Sequence, residues 1–214
     1  IWVQPAAGDA GGSLGAALAY WHQELNQKRK INLSDSMRGS FLGPKYENST
    51  VEKELLSLNA NFKKYSENDL INILAEHLSK EKTIGWFQGR MEFGPRALGN
   101  RSLLGDPRYD IKDTVNDIKK RQKFRPFAPA ILEEYADEYF EGPMNEYMQF
   151  VAKAKHDYST VTHVDGTARV QVVKKDCRSV IRYILEEWYN ETGCPMLLNT
   201  SLNIKGMPMV NTWE

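Results

Sequence analysis

The chain has 214 residues, with 28 Lys and Arg balanced by 28 Asp and Glu, and 41% of its residues are hydrophobic. This length allows one or two domains with a full core, and the neutral charge argues against general binding to nucleic acid or to a membrane surface. The apolar runs are too short to span a bilayer, and two cysteines are too few for a structural zinc site. The sequence therefore predicts a cytoplasmic globular protein with Cys177 and Cys194 as free thiols.

The first half of the chain contains three predicted helices and two predicted strands, the first of them a short strand at the start of the chain before a glycine-rich turn. Apolar residues at helical spacing predict a helix over 12–27, and 28–46 is a polar, turn-rich linker. Ser49 followed by Glu52 is typical of a capping box at the start of the second helix. A third helix is predicted over 68–78 with Leu70, Ile73, Leu74 and His77 on one face, and a buried strand over 83–89.

The second half alternates between the two periodicities. Helices are predicted over 110–122 and 177–193, the latter ending at Gly193, and a short strand after Pro126 leads into another helix. Strands are predicted over 148–154, 168–173 and 195–203. This order predicts an α/β fold with a partly parallel sheet.

The basic residues concentrate in the centre of the chain. Between Lys82 and Arg125 there are eleven Lys and Arg against five Asp and Glu, so this segment carries +6 and the remainder −6. Arginine suits bidentate binding of phosphate or carboxylate. Glycines at 89, 94 and 99 let the backbone approach a ligand and expose N–H donors. Apolar residues interleave with these charges, which favours a packed anion or nucleotide site over a solvated basic loop.

Four other segments carry polar groups with two interpretations each. The cations of 119–129 suit a ligand or a charged helix face, and His163 and Asp165 suit catalysis or a turn-stabilising pair, the latter being favoured. The segment 199–203 suits ligand hydrogen bonds or an Asx turn. Asp9, in a glycine-rich turn before a helix, suits a metal or phosphate ligand or a helix cap.

Taken together, six stretches resemble the carbamoyltransferase family that includes the nodulation (NodU) and cephamycin (CmcH) enzymes. They are PAAGDAGGSLGAAL, FLGPKY, GRMEFGPRALGNRSLLGDPR, KKRQKFRPFAP, HVDGTARVQ and NTSLNIKGMPMV. They occur in family order and cover nearly the whole chain, and the arginine-rich stretch is highly specific.

The resemblance implies that the chain is the C-terminal part of a two-part enzyme. Residues 1–35 would be the tail of an N-terminal actin/Hsp70-like transferase domain, and 36–214 a YrdC-like domain with a twisted mixed sheet flanked by helices. Asp9 would be a metal ligand of the transferase domain, whose metal is a divalent ion, with iron favoured. The family's metal-binding histidines are expected upstream, so this chain alone is not expected to complete carbamoyl transfer.

The resemblance also implies the chemistry and its residues. Carbamoyl phosphate and ATP, accompanied by Mg²⁺, would give carbamoyl adenylate, whose carbamoyl group passes to a small hydroxylated acceptor. The implied catalytic residues are Arg96, Lys119, Arg169 and Ser201, and the implied substrate- or nucleotide-binding residues are Arg90, Arg121, Arg125 and Asn199. Lys120 and Lys123 remain alternatives to Lys119, whereas Arg101 and Arg108 are expected to be structural.

Two other functions remain open. A basic cavity could bind a nucleotide or RNA without catalysis, and a threonylcarbamoyl-adenylate synthase would use threonine and bicarbonate. The GDAG turn argues against the synthase because the resemblance couples it to a transferase domain. The acceptor and the oligomeric state are not encoded in any recognisable motif.

Overall fold

The structure is a computed structural model that describes residues 3–32 and 35–212. Its α-helices are α1 (Asp9–Ala19), α2 (Asn48–Ser57), α3 (Glu67–Ser79), α4 (Lys112–Ile118), α5 (Ala136–Tyr139) and α6 (Ile181–Thr192). Its strands are β1 (Ile84–Phe87), β2 (Arg101–Gly105), β3 (Ala128–Leu132), β4 (Phe140–Glu141), β5 (Ala152–Ala154), β6 (Thr167–Ala168), β7 (Gln171–Val173) and β8 (Met196–Ser201). Most of the predicted elements are present, with shorter bounds than expected.

A five-stranded sheet with the order β1-β2-β8-β3-β7 forms the centre of the fold. The first four strands pair antiparallel, whereas β3 and β7 pair parallel. The predicted mixed α/β sheet flanked by helices is therefore confirmed. These directions bring the ends of β1 and β8 and the starts of β2, β3 and β7 to one edge of the sheet.

The predicted strand over 168–173 is wrong, because the chain changes sheets within it. Thr167–Ala168 pairs with β5 in a second, three-stranded sheet of order β4-β5-β6. Gln171–Val173 joins the central sheet beside β3. Arg169 lies at the crossing between the two sheets.

Helices α3 and α6 pack on each other and on the central sheet. The side chains of Ile181, Ile184, Leu185 and Trp188 recur at helical spacing and are fully buried, so they form the inner face of α6. The helix ends as predicted at Gly193, whose φ of 68° places it in the left-handed region and whose N–H donates to the Tyr189 carbonyl.

The predicted inner face of α3 is wrong in phase. The buried residues are Ile71, Leu74, Ala75 and Leu78, whereas Leu70 remains 38% exposed. The start of α2 also differs: Glu47 is its N-cap residue and no side chain caps it, so Ser49 and Glu52 do not form the expected capping box.

The N-terminal helix lies largely on the surface. Helix α1 begins at Asp9 and continues into a π-helical turn over Tyr20–Glu24. Gly11 is the one residue of α1 that is buried, and Leu18, Trp21 and Leu25 are 47%, 50% and 43% exposed. Within the described residues, no helix combines the length and apolar character needed to cross a bilayer. Both cysteines are free, with Cys194 buried and Cys177 partly exposed.

Candidate active site

A cavity of about 330 Å³ lies at the edge of the central sheet where β8 ends and β3 begins. Its walls come from the loop before β2, the turn between α4 and β3, the crossing before β7 and the end of β8. Six of the residues predicted for the site line it: Arg96, Arg121, Arg125, Arg169, Asn199 and Ser201. The sheet topology therefore brings together residues separated by up to 105 positions in the chain.

Four guanidinium groups face this cavity without a matching carboxylate. No Asp or Glu is among the described residues that line it. Burial lowers the pKa of Arg121 to about 10, and the positive charges of Arg125 and Arg169 contribute to this lowering. Arg169 is affected in the same way, with burial as the main cause of a pKa of about 10. Like charges gathered at a partly buried site are costly until an anion enters.

Two of these arginines differ in how they are held. Arg121 donates from Nε to Asn116 Oδ1, and its guanidinium carbon lies 4.2 Å from the centre of the Phe127 ring. By contrast, Nε of Arg169 is buried and has no hydrogen-bond partner among the described residues. Protein contacts therefore hold the guanidinium group of Arg121, whereas Arg169 has a buried Nε donor that no described residue uses.

Lys119 lies behind the cavity rather than in its lining. Its side chain is buried, and its three N–H donors share four oxygens: the backbone oxygen and hydroxyl of Ser201, and both oxygens of Asn203 at 2.9 Å each. Burial, followed by the charges of Arg121 and Arg125, lowers its pKa to about 8. Lys119 thus fixes the end of β8, where Ser201 faces the cavity.

Asn203 belongs to this arrangement; the sequence indicated the segment 199–203 as a candidate for ligand hydrogen bonds but did not assign this residue individually. Its Oδ1 accepts hydrogen bonds from Lys119 Nζ and from the Ser201 hydroxyl, the latter at 2.7 Å. Ser201 ends β8, and the N–H of Asn203 donates to the Ser201 carbonyl at 2.9 Å in the tight turn that follows. The amide side chain within the polar segment 199–203 was its sequence signal.

Glu92 organises the loop before β2 and was also missed. Its side chain is 4% exposed. Oε1 accepts backbone N–H bonds from Leu98 at 2.7 Å, Asn100 at 2.8 Å and Arg101 at 3.4 Å. A single glutamate within the arginine-rich stretch was its only sequence signal.

Two other residues predicted for the site, Arg90 and Asp9, lie outside the cavity lining. Arg90 is exposed, lies outside the cavity lining and donates from Nη1 to the Gly43 carbonyl at 3.0 Å. Asp9 is exposed in the first turn of α1. The described residues contain no group of three or more His, Cys, Asp or Glu side chains arranged to hold a metal. His163 lines the cavity, and Asp165 caps its own turn by accepting from the Thr167 hydroxyl and N–H.

Two other arginines of the loop make structural contacts, as expected. Arg101 is fully buried, donates from Nη1 to the carbonyls of Gln88 and Asn100 at 2.8 Å each, and stacks 3.6 Å from the Phe87 ring centre. Arg108 pairs with buried Asp106 at 2.7 Å. These two guanidinium groups bind carbonyl and carboxylate groups within the fold, and neither residue lines the cavity.

A larger cavity of about 660 Å³ is lined by Gln171 and by groups of both charges, including the Lys174–Glu146 ion pair of 2.9 Å. None of the residues predicted for the site lines it. Its mixed charge contrasts with the uniformly positive smaller cavity.

Comparison with known proteins identifies the family. Residues 75–214 match the sequence profile described as Carbamoyltransferase C-terminus. The chain belongs to the carbamoyltransferase family. It is 41% identical to Nodulation protein NolNO of Sinorhizobium fredii, over 99% of this chain and 32% of that protein. It is 40% identical to Nodulation protein NolO of Bradyrhizobium diazoefficiens, over 99% of this chain and 40% of that protein.

The chain therefore spans about a third to two fifths of the length of these curated relatives. A crystal structure of T. kodakarensis HypF superposes on 72% of this chain and 19% of that chain, with a TM-score of 0.49 and 17% identity. A likeness of that strength does not decide whether the fold is the YrdC-like one, so that part of the expectation stays a prediction.

Proposed function

We propose that the arginine-lined cavity forms carbamoyl adenylate from carbamoyl phosphate and ATP, for later transfer of the carbamoyl group to a hydroxyl acceptor. The observation that carries this proposal is the cavity itself, where four guanidinium groups converge and no carboxylate is among the lining residues that the structure describes. Membership of the carbamoyltransferase family supports the choice of a carbamoyl substrate over other anions.

The proposed chemistry needs charge and position more than covalent help. Carbamoyl phosphate releases its phosphate to water and leaves carbamate. A carbamate oxygen then attacks the α-phosphorus of ATP, and the bond to the β-phosphate oxygen breaks to release pyrophosphate. Arginines stabilise the negative charge that builds up on the phosphoryl oxygens. In this scheme Arg96 and Arg169 hold the phosphoryl group, and Arg121 and Arg125 hold the leaving pyrophosphate.

Ser201 and Lys119 act at the end of β8. The Ser201 hydroxyl donates to Asn203 Oδ1 in the present arrangement, so it offers its lone pairs or, after rotation, its proton to the substrate. Lys119 is a positioning residue in this scheme because its Nζ is already surrounded by four protein oxygens.

The cavity does not fit a resident Mg²⁺. That ion prefers oxygen ligands such as carboxylates, and none is among the described lining residues. We therefore expect Mg²⁺ to enter with the ATP phosphates. Asp9 alone likewise does not form a metal site, and a role for it in binding iron requires ligands from outside the described residues.

The proposed domain division places 1–35 with an N-terminal transferase domain and 36–214 with the adenylate-forming domain. The exposed apolar residues Leu18, Trp21 and Leu25 support a packing partner for the first segment. The boundary at 35 adjoins residues 33–34, which lie outside the described part of the chain.

Release of pyrophosphate from ATP tests the proposal. The full chain should release pyrophosphate only when carbamoyl phosphate is present. We expect Arg96→Ala and Arg169→Ala to lower kcat/KM by about 10- to 100-fold each, because each removes a charge-assisted hydrogen bond worth about 1.5–3 kcal/mol. Arg178→Ala is the matched control, since Arg178 is exposed and lies outside the cavity lining.

A measurement of thermal stability separates this effect from unfolding. Arg169→Ala removes one of several like charges, so its Tm should stay equal to or exceed that of the wild type. Pyrophosphate release that needs no carbamoyl phosphate, or that is equal in Arg96→Ala and the wild type, would contradict the site assignment. Release supported by threonine and bicarbonate instead would identify a threonylcarbamoyl-adenylate synthase.

A further inference from the structure

Two buried side-chain amides form a hydrogen-bonded pair behind the cavity. Asn199, on β8, is 1% exposed, and Gln171, at the start of β7, is 3% exposed. Nδ2 of Asn199 donates to the Ala97 carbonyl at 3.2 Å and to Gln171 Oε1 at 2.7 Å. Nε2 of Gln171 donates to the Leu98 carbonyl at 2.8 Å. The pair links both strands to the loop before β2.

The chemistry of the partners fixes the orientation of both amides. Backbone carbonyl oxygens only accept hydrogen bonds, so each amide must turn its NH₂ group towards the loop. A flip of Gln171 would place its NH₂ against the NH₂ of Asn199. Oδ1 of Asn199 is therefore held away from the loop as a fixed acceptor.

This acceptor has no donor of its own. Oδ1 of Asn199 is buried and has no hydrogen-bond partner among the described residues. Asn199 is among the residues that line the cavity, and its backbone pairs with Leu104 and Ala128 within the sheet. A buried, unpaired acceptor is unfavourable unless a ligand satisfies it. The cavity thus combines guanidinium donors for an anion with one rigid acceptor for an N–H or O–H group.

We infer that Oδ1 of Asn199 accepts a hydrogen bond from the amino group of the carbamoyl unit and so selects carbamoyl over acyl substrates. This inference rests on the proposed function of the cavity. An acetyl group has nearly the same size and shape, but its methyl group replaces the NH₂ and leaves the acceptor unpaired. Asn199 is the most deeply buried polar residue of the lining, which suits a small carbamoyl unit better than the bulky adenine ring.

Comparison of carbamoyl phosphate with acetyl phosphate tests this inference in the wild-type chain. We expect carbamoyl phosphate to support pyrophosphate release with a kcat/KM about 10- to 100-fold higher, as expected when a buried polar group loses its partner. Equal values for the two substrates would overturn the inference but leave the proposed function standing. If neither substrate supports release of pyrophosphate, both the inference and the proposed function are overturned.

Asn199→Leu removes the acceptor at nearly constant volume. We expect the ratio of kcat/KM for carbamoyl phosphate to that for acetyl phosphate to fall about 10- to 100-fold, mainly through loss on carbamoyl phosphate. The affinity for AMP should change by less than about threefold. A ratio equal to that of the wild type, or an equal loss of AMP affinity, would contradict the inference and indicate a structural or adenine-binding role.

Asn72→Leu is the matched control, since Asn72 is exposed on α3 away from this cavity. Its ratio should equal that of the wild type. If Asn199→Leu does not fold, the comparison of the two substrates in the wild-type chain still decides the question.

Discussion

Removal of the buried carboxylate of Glu92 should destabilise the loop that shapes the cavity. Two of the N–H groups that it accepts, those of Leu98 and Asn100, lie at 2.7 and 2.8 Å, whereas that of Arg101 lies at 3.4 Å and is weak. The same loop supplies the carbonyl oxygens of Ala97 and Leu98 that orient the amide pair. Glu92→Ala therefore affects both the stability of the fold and the geometry of the site.

The change in the free energy of unfolding combines the hydrogen bonds that the variant loses with one unfavourable buried atom that it removes. Two normal bonds to a charged acceptor contribute about 1.5–3 kcal/mol each, or about 3–6 kcal/mol together. The variant also removes Oε2, which is buried without a partner among the described residues and costs about 1–3 kcal/mol. The midpoints of these two ranges differ by about 2.5 kcal/mol, so we expect Glu92→Ala to lower the free energy of unfolding by about that amount.

Equilibrium urea denaturation measures this change as a lower midpoint at constant slope. Glu92→Gln retains an acceptor for the same N–H groups but loses the charge, so its loss should be about half as large. Glu187→Ala, an exposed residue of α6, is the surface control and should change the free energy of unfolding by less than about 0.5 kcal/mol. A loss below about 1 kcal/mol in Glu92→Ala would refute the proposed role of this carboxylate.

Three further results are expected. Gly99 has a φ of 109°, and a β-carbon added there would lie 2.7 Å from the β-carbon of Ile181 on α6, whereas Gly166 has a φ of 77° and open space around it. Gly99→Ala should therefore lower Tm clearly more than Gly166→Ala, and equal losses would contradict this packing argument. The bidentate contact with Arg182 lowers the pKa of Glu134 to about 2, so the contribution of Glu134 to stability is present above about pH 4.5 and is lost as the pH falls towards 2. The urea midpoint of Glu134→Gln should therefore depend less on pH over that range than the midpoint of the wild type, and identical pH dependence would contradict this. The pKa of Lys119, lowered to about 8, should rise when an anion enters the cavity. Calorimetry of AMP binding at about pH 8 in buffers of different ionisation enthalpy should therefore show proton uptake, and binding heats that do not depend on the buffer would contradict this prediction.

Local sequence patterns were sufficient to predict the elements whose type and ends depend on residues that are close in the chain. The apolar spacing of α6 and the glycine at its end predicted both the helix and its last turn. The run of apolar residues from Met196 predicted β8, and the predicted site residues Asn199 and Ser201 near its end lie in the cavity lining. In these cases the periodicity has a single interpretation, and the end of the element is marked by a residue with a special backbone role.

Non-local contacts decided the cases in which the local pattern was ambiguous. Along α3, apolar residues at 70, 71, 73, 74, 75 and 78 allow two inner faces, and packing against α6 selects the one that contains Ile71. Around Arg169, alternation alone cannot show that the chain leaves one sheet and joins another. The three consecutive basic residues 119–121 likewise share one pattern, although Lys119 turns inward to Ser201 and Asn203 while Lys120 remains exposed.

The sequence by itself determined the family, the α/β class and the concentration of arginines in the centre of the chain, because these depend on composition, periodicity and contiguous motifs. The family resemblance indicated which arginines would face a ligand, but only the tertiary structure decided the surroundings of each one, including the position of Arg90 outside the cavity lining. Arg101 and Arg108 are used within the fold, whereas Arg96, Arg121, Arg125 and Arg169 meet at one edge of the sheet. The physical reason is that the availability of a charge depends on the carbonyls, carboxylates and rings that surround it, and distant segments of the chain supply them.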